Sequence, residues 1–183
     1  MPRLIVLNGP PAVGKSTLAA RYADDHPLAL NLDLDRVHLL LGGADDNALD
    51  GYMATRDLAA AMARTHLQAG HDVVVPQYLA RPLFLERLEA LAGEIGAAFH
   101  EIVLLDSLQR LEARFAHRSA TSAEPEHQLA ARAVATGGEQ SLPAMRARLV
   151  ELVATRPLAV VIDCPEGQED TTYRAILHAV GEA

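Results

Sequence analysis

The sequence predicts an α/β fold: a parallel sheet of five strands with helices on both faces. Three observations predict it. Short apolar runs alternate with stretches of helical periodicity along the whole chain, the pattern of repeated strand–helix–strand units. The apolar runs are continuous rather than alternating, as in strands covered on both sides. The first run enters a glycine-rich loop that leads straight into a helix. Half of the 183 residues are hydrophobic, enough for one sizeable core, so residues 1–183 are expected to form a single domain without internal repeats.

Each element has its own signal. Residues 3–8 are an apolar run, the first strand. Leu18, Ala19 and Tyr22 recur at helical spacing over 15–25, and His26-Pro27 stops that helix because the residue before a proline is pushed out of the helical region. Residues 28–32 form the second strand and run into Asp33-Leu34-Asp35. A short helical stretch, a Gly/Asp-rich loop over 42–51 and a helix over 52–69 follow. The third strand covers 72–75, the next helix 82–95 and the fourth strand 98–105. A helix from 107 to about 117 leads into a small polar stretch, 119–125. Helices over about 126–135 and 142–154 are separated by Gly137-Gly138. The fifth strand is 158–162, and the last helix covers about 170–180.

Gly9-Pro10-Pro11-Ala12-Val13-Gly14-Lys15-Ser16-Thr17 matches the phosphate-binding pattern G-x-x-x-x-G-K-[ST] in its proper strand–loop–helix setting. Gly9 and Gly14 let the backbone curl around a phosphate, with Ala12 in the same arc. The amides of Val13, Gly14, Lys15, Ser16 and Thr17 then point at it, being the unpaired donors of the helix's first turn. Pro10 and Pro11 have no N–H to donate and stiffen the outer arc. Lys15 is the only lysine in the chain. In a composition so biased toward arginine, it suggests a task that a planar guanidinium cannot perform: placing a compact ammonium between the β- and γ-phosphates of a nucleotide. Ser16 would put its hydroxyl on Mg²⁺. The expected ligand is ATP or GTP.

In such sheets ligands bind at the carboxyl ends of the strands. Asp33 and Asp35, one residue apart, face the same way on an extended chain. One can support Mg²⁺ while the other takes the proton of an attacking hydroxyl, and Asp35 is favoured as the base. Capping of the helix that begins near Arg36 is the other use of an aspartate here. The third strand ends in Pro76-Gln77-Tyr78, where many phosphate-loop ATPases carry a metal-binding aspartate, so a motor or switch built on that carboxylate is not expected. Gln77, Tyr78 and Arg81 read as substrate-pocket residues or as an ordinary loop and helix start. Arg56, in the helix after the 42–51 loop, joins the substrate-binding set. Asp106 reads as a helix cap. Arg110, Arg114 and Arg118, spaced four apart, stack on one helix face. Arg114 and Arg118, more than Arg110, suit a lid over about 114–138 that neutralises a transferring phosphate; the alternative is a solvated face paired with Glu112 and other acids. The 163–167 loop would pack near the nucleotide base.

Other classes are excluded or demoted. One cysteine, Cys164, rules out an internal disulfide and a cysteine-based zinc site, and is expected as a small buried hydrophobe. A net charge of −8 without a basic, aromatic-laced stripe argues against nucleic acid or an anionic membrane as partner. No apolar run is long enough to span a bilayer, and the first strand begins at once with no signal peptide. The expectation is a soluble cytoplasmic protein, monomer or homodimer, acting on a small molecule. The histidines lack metal-ligand spacing and are expected in the core or in solvent.

These residues together resemble a known group. The chain is similar to the small phosphate-loop kinases of the adenylate-kinase-like group, and most of all to the chloramphenicol phosphotransferase type. The likeness lies in Ile5 to Gly9 running into Ala12 to Ser16, in Asp35, in Gln68 to Val75, and in Leu111 to Arg118, together spanning about two thirds of the chain. Asp33 with Asp35 also resembles the paired aspartates of shikimate kinase, and Asp35 to His38 the matching stretch of gluconate kinases. The resemblance implies the P-loop NTPase fold with sheet order 2-3-1-4-5 and a small helical lid, ATP and Mg²⁺, a base at Asp35 and lid arginines at Arg114 and Arg118. The expected activity is transfer of the γ-phosphoryl group of ATP to a hydroxyl of a small metabolite, natural product or antibiotic. A toxin-like kinase of a sugar nucleotide and a nucleotide-binding switch with little turnover are the alternatives. The chain departs from the chloramphenicol phosphotransferases at Pro76-Gln77, where those usually carry an acidic residue.

Overall fold

The computed structural model describes residues 1–44 and 48–182. Strands β1 (Arg3–Asn8), β2 (Leu30–Asn31), β3 (Val73–Pro76), β4 (Ala98–Leu105) and β5 (Val160–Asp163) form one sheet in the order β2-β3-β1-β4-β5. Every pairing is parallel, with Ile5 opposite Val74 on one side and His100 on the other. The helices are α1 (Lys15–Asp25), α2 (Leu34–Leu39), α3 (Ala48–Gln68), α4 (Pro82–Ile95), α5 (Leu108–Thr121), α6 (Pro125–Ala135), α7 (Leu142–Val153) and α8 (Glu169–Ala179), with a 3₁₀ turn at Gly138–Gln140.

Side-chain alternation along β1 divides the core in two. Leu4 and Val6 join Leu32, Val37, Ala59, Leu85, Leu88 and Leu149 on the face covered by α2, α3, α4 and α7. Ile5 and Leu7 join Leu18, Tyr22, Leu111, Tyr173 and Ile176 on the face covered by α1, α5 and α8. Full burial of a side chain such as Leu85 contributes about 1.5–3 kcal/mol, so the two layers fix the sheet from both sides. The consequence for function is positional. All five strand ends, with their loops, open on one edge.

Several boundaries differ from the sequence expectation. The second strand shortens to Leu30–Asn31 because Leu28 takes a left-handed φ of 65° and is 68 % exposed. The 42–51 loop is cut short by α3, which starts at Ala48; positions 45–47 lie outside the described residues. Helix α5 continues to Thr121, past the expected end near 117, because nothing breaks it before Ser122 turns extended ahead of Pro125. The polar stretch therefore contracts to residues 122–124. The fifth strand was expected to be buried like the others. Instead Val160 and Val161 are 42 % and 47 % exposed, since β5 is an edge with one neighbour.

Candidate active site

The glycine-rich loop leaves β1 and curls back to start α1. A Cβ on Gly9 would lie 2.7 Å from the Leu104 carbonyl oxygen and 2.8 Å from Val13 Cγ1, so only glycine lets the loop pass this close to β4. Gly14 caps α1 with φ 108°, and Ala12 holds a left-handed φ of 65°. The side chain of Asn8 clasps the loop from below: Nδ2 donates to the Leu79 carbonyl at 2.7 Å, and Oδ1 accepts from the Gly9 and Leu79 amides at 2.9 Å. Asn8 is fully buried, and it ties the phosphate loop to the segment after β3. Cys164 is buried as expected, and its Sγ donates to the Val13 carbonyl at 3.0 Å.

Above the loop lies an open cleft of about 230 Å³ lined by Ala12, Gly14, Lys15, Ser16, Thr17, Arg114, Arg118 and His127. The first-turn amides of α1 have no intrahelical acceptor, so they face this space as donors. Lys15 Nζ donates to the Pro10 carbonyl at 2.8 Å. Burial, then the neighbouring Arg118 charge, push the Lys15 ammonium down to about 8, against the pull of Asp35 and Asp33. Burial likewise holds the Arg118 guanidinium below its usual range, opposed by Asp35. The Nε atoms of Arg114 and Arg118 are buried without a hydrogen-bond partner.

The acids lie outside this lining, at the start of α2. Asp33 caps α2, its Oδ1 accepting from the Asp35 amide at 2.9 Å, so the capping alternative holds for this residue. Asp35 occupies the first turn of α2, where its Oδ1 accepts from Gln77 Nε2 at 3.5 Å. Burial and the Asp33 charge push its carboxyl above the ordinary range, while Gln77 and Lys15 pull it down. Gln77 Oε1 is buried with no partner. Tyr78 is half-buried, and its hydroxyl donates to the Met145 carbonyl at 3.0 Å, which joins the substrate-side loop to α7. Arg56 lies over the Phe84 ring, 5.4 Å from its centroid, and Arg81 is exposed at the N-cap of α4.

Two sequence expectations need correction at the base of α5. Asp106 is not the cap; Ser107 is, its side chain accepting from the Arg110 amide. Asp106 is instead a hub, with both Arg110 and Arg114 at 2.6 Å from its carboxylate. Burial pushes this carboxyl up, but Arg110, the Ser107 amide and Arg114 outweigh it and hold it below the usual range. The acid partnering the stripe is thus Asp106, eight and four residues back, rather than Glu112. His127, assigned by default to core or solvent, lines the cleft with Nδ1 2.6 Å from Ser122 Oγ. Neither Asn8 nor His127 carried a motif. The one available signal was a polar residue closing the apolar first strand.

The cleft fits a triphosphate. Its lining carries backbone donors, one ammonium and two guanidiniums with unmet N–H groups, and none of its lining residues is an acid. Among the described residues no cluster of three or more His, Cys, Asp or Glu could hold a metal. A Mg²⁺ here would be held by Ser16, with Asp33 as the supporting carboxylate, and would take its other oxygens from the nucleotide and water.

Comparisons with known proteins agree with this fold. A gluconokinase from Sinorhizobium meliloti 1021 superposes with a TM-score of 0.59 at 16% identity, covering 98% of this chain and 91% of its own. The tunicamycin resistance protein of Deinococcus radiodurans does so with a TM-score of 0.63 at 15% identity, covering 100% and 98%. The APS kinase of Mycobacterium tuberculosis in complex with AMPPNP and APS gives 0.61 at 14% identity, covering 98% and 97%. At these identities the likeness is one of fold. No curated protein sequence matches the chain. Residues 4–152 match the AAA domain family, a span running from β1 through the phosphate loop, the acids and the arginine stripe to α7; the chain belongs to that family and has the P-loop fold of the small-molecule kinases it superposes on.

Proposed function

We propose that the protein is an ATP-dependent phosphotransferase that moves the γ-phosphoryl group to a hydroxyl of a small molecule. The observation that carries this is the cleft over the phosphate loop: Lys15 and Arg118 line it beside the first-turn amides of α1, and the charge of Asp35, at the start of α2, acts on both cations. Loop amides and Lys15 hold the β- and γ-phosphates. Asp35, kept in place by α2 and Gln77, orients the acceptor hydroxyl and takes its proton. The hydroxyl oxygen bonds to the γ-phosphorus as the bond to the β–γ bridging oxygen breaks, and ADP leaves. Arg114 and Arg118 neutralise the transferring group. Mg²⁺ would supply further neutralisation of the leaving phosphates, with Ser16 and Asp33 as its protein-side ligands.

Gln77, Tyr78, Arg56 and Arg81 form the acceptor side, and residues 114–138 act as the lid. This segment is tied to α2 by Arg36 Nε, which donates to Glu126 Oε1 at 3.0 Å. None of the described helices is long and apolar enough to cross a bilayer. The test is a panel of hydroxylated small molecules with ATP and Mg²⁺, reading ADP release and the mass of the product. An acceptor-dependent rise in ADP release with a phosphorylated product is expected. If no acceptor raises ADP release above the level of the Asp35→Asn variant, the kinase reading falls.

A further inference from the structure

A polar relay sits in the turn between α5 and α6. Helix α5 ends where Ser122 turns extended, and α6 begins at Pro125. Within that turn Ser122 Oγ accepts from the Glu124 amide at 3.3 Å and lies 2.6 Å from His127 Nδ1. The His127 amide donates to the Glu124 carbonyl at 3.0 Å, and Gln128 Nε2 donates to the Ser122 carbonyl at 2.6 Å. The first turn of α6 is thereby tied to the end of α5, and the His127 ring with it.

These bonds place the protons. An amide N–H can only donate, so Glu124 occupies a lone pair of Ser122 Oγ. Among the described residues the acceptor within reach of the Ser122 hydroxyl proton is His127 Nδ1, so the 2.6 Å bond runs from the hydroxyl to the ring. Burial, then the Arg118 charge, hold the ring below the usual histidine range, against Glu126, Glu124 and Asp33, which favours the neutral form. A neutral imidazole that accepts at Nδ1 carries its proton at Nε2. Nε2 makes no hydrogen bond among the described residues, and the ring lines the cleft with Lys15, Arg114 and Arg118. It is a donor that still lacks an acceptor, beside a space walled by other donors.

We propose that His127 is a further phosphate-binding residue, its Nε2–H donating to an oxygen of the γ-phosphoryl group beside Arg118, and that Ser122 is the positioning residue that fixes the required tautomer. The proposal rests on the kinase reading of the same cleft. The γ position follows from the neighbours of the ring. Arg118 and Asp33 act on His127, and Asp35 acts on Arg118, the groups given to the transferring phosphate, the metal and the acceptor. A neutral donor adds direction at one phosphate oxygen without adding to the repulsion among Lys15, Arg114 and Arg118 in the free protein.

Two readouts test it. Proton–nitrogen correlation spectra of the free protein at about pH 7.5, with His127→Gln to assign the ring, report which nitrogen carries the proton. Nε2 protonated and Nδ1 bare is the expected result; Ser122→Ala should mix the two tautomers, and Ser122→Thr should restore the first. Binding of AMPPNP and of ADP, each with Mg²⁺, is then measured by isothermal titration. His127→Ala should weaken AMPPNP about tenfold and leave ADP unchanged, while His127→Gln, whose amide N–H takes the place of Nε2–H, should stay within about twofold of the wild type. Ser122→Ala should weaken AMPPNP about threefold. A bare Nε2 in the free protein, equal losses for both nucleotides in His127→Ala, or a Gln variant as weak as the Ala variant overturns the proposal. The amides of residues 14–17, followed in the same samples, separate it from the kinase reading. No response there to AMPPNP would bring down both, whereas a response there with His127→Ala binding AMPPNP like the wild type sinks this proposal alone.

Discussion

Two clusters that mix positive and negative side chains meet α5 less than three helical turns apart, through Arg110 and Arg114 in one and Arg118 in the other, and they are built differently. At its base, Asp106 is buried with Arg110 and Arg114 each at 2.6 Å, and its remaining need is met by the Ser107 amide. Toward its far end, Arg118 shares a cleft with Lys15 and feels Asp35, yet among the described residues no ion pair joins the three. Lys15 bonds a carbonyl and Asp35 an amide instead. Charges that neutralise one another at short range hold a structure together. Charges that share a partly buried space without pairing cost free energy until something arrives to complete them. We therefore propose the Asp106 hub as scaffold and the Lys15–Asp35–Arg118 region as the place for a phosphate chain and an acceptor, with Arg114 belonging to both.

The sharpest way to break this comparison is to remove the central cation. Lys15→Ala should lose phosphoryl transfer by a factor of about a thousand, and Lys15→Arg nearly as much, because a guanidinium matches the charge but not the compact shape. Both variants should keep the native circular dichroism and melting behaviour. Full turnover in Lys15→Arg would show that the loop needs only a positive charge. Asp35→Asn comes next, with kcat about a hundredfold lower and ATP affinity nearly unchanged. An equal, small effect from Asp33→Asn and Asp35→Asn would reduce both to helix-start residues.

The two arginines one turn apart should separate by readout. Arg118→Ala is expected to lower kcat by about tenfold or more and to leave the melting temperature within about a degree or two. Arg114→Ala should also cost activity, but in addition it leaves the buried Asp106 with one guanidinium fewer, at about 1–3 kcal/mol of stability. Its stability should depend on pH in a defined way. In the wild type the depressed Asp106 pKa stabilises the fold above the ordinary carboxylate range, and that contribution is lost as pH falls through the folded value. Arg114→Ala should flatten this acid limb, and Arg118→Ala should not. Identical melting and pH profiles for the two variants would erase the distinction between scaffold and site.

The difference between the clusters also explains what the sequence could and could not disclose. Local rules sufficed for the phosphate loop, because glycine spacing, a lone lysine and a strand–helix switch all act within about fifteen residues. Strands β1 and β4 and helices α1 and α4 fell at the expected positions for the same reason, being bounded by local stop signals. The sheet order needed a resemblance, since nothing local orders parallel strands. The Asp106 hub, the Asn8 clasp and His127 in the cleft depend on which strand end meets which loop across the fold. Asn8 bonds a segment seventy-one residues away, and no periodicity announces that. The edge character of β5 was hidden likewise, because an apolar run reads the same with one neighbour or two.

The smallest predicted effect probes the unpaired region most directly. With its ammonium pushed down to about 8 by burial and Arg118, Lys15 is half neutral near that pH in the free protein. A bound triphosphate favours the protonated form and raises the value again, so binding takes up a proton in the window above about 8. Affinity should then be full below that pH and fall by about tenfold between pH 7 and 9. The same linkage acts on the fold with the opposite sense. Because the folded value lies below the ordinary 10.5, the free protein gains stability as pH rises from about 8 toward 10.5, and the thermal shift produced by nucleotide should shrink over that range. Titration of the nucleotide itself is common to every variant, so Lys15→Ala supplies the baseline. Isothermal titration in two buffers of different ionisation enthalpy would report the proton directly. Proton uptake at pH 8.5 in the wild type and none beyond the baseline in Lys15→Ala is the expected outcome; equal uptake in both would mean that Lys15 is already fully charged in the empty loop, and that the cleft is not the uncompensated region the comparison makes it.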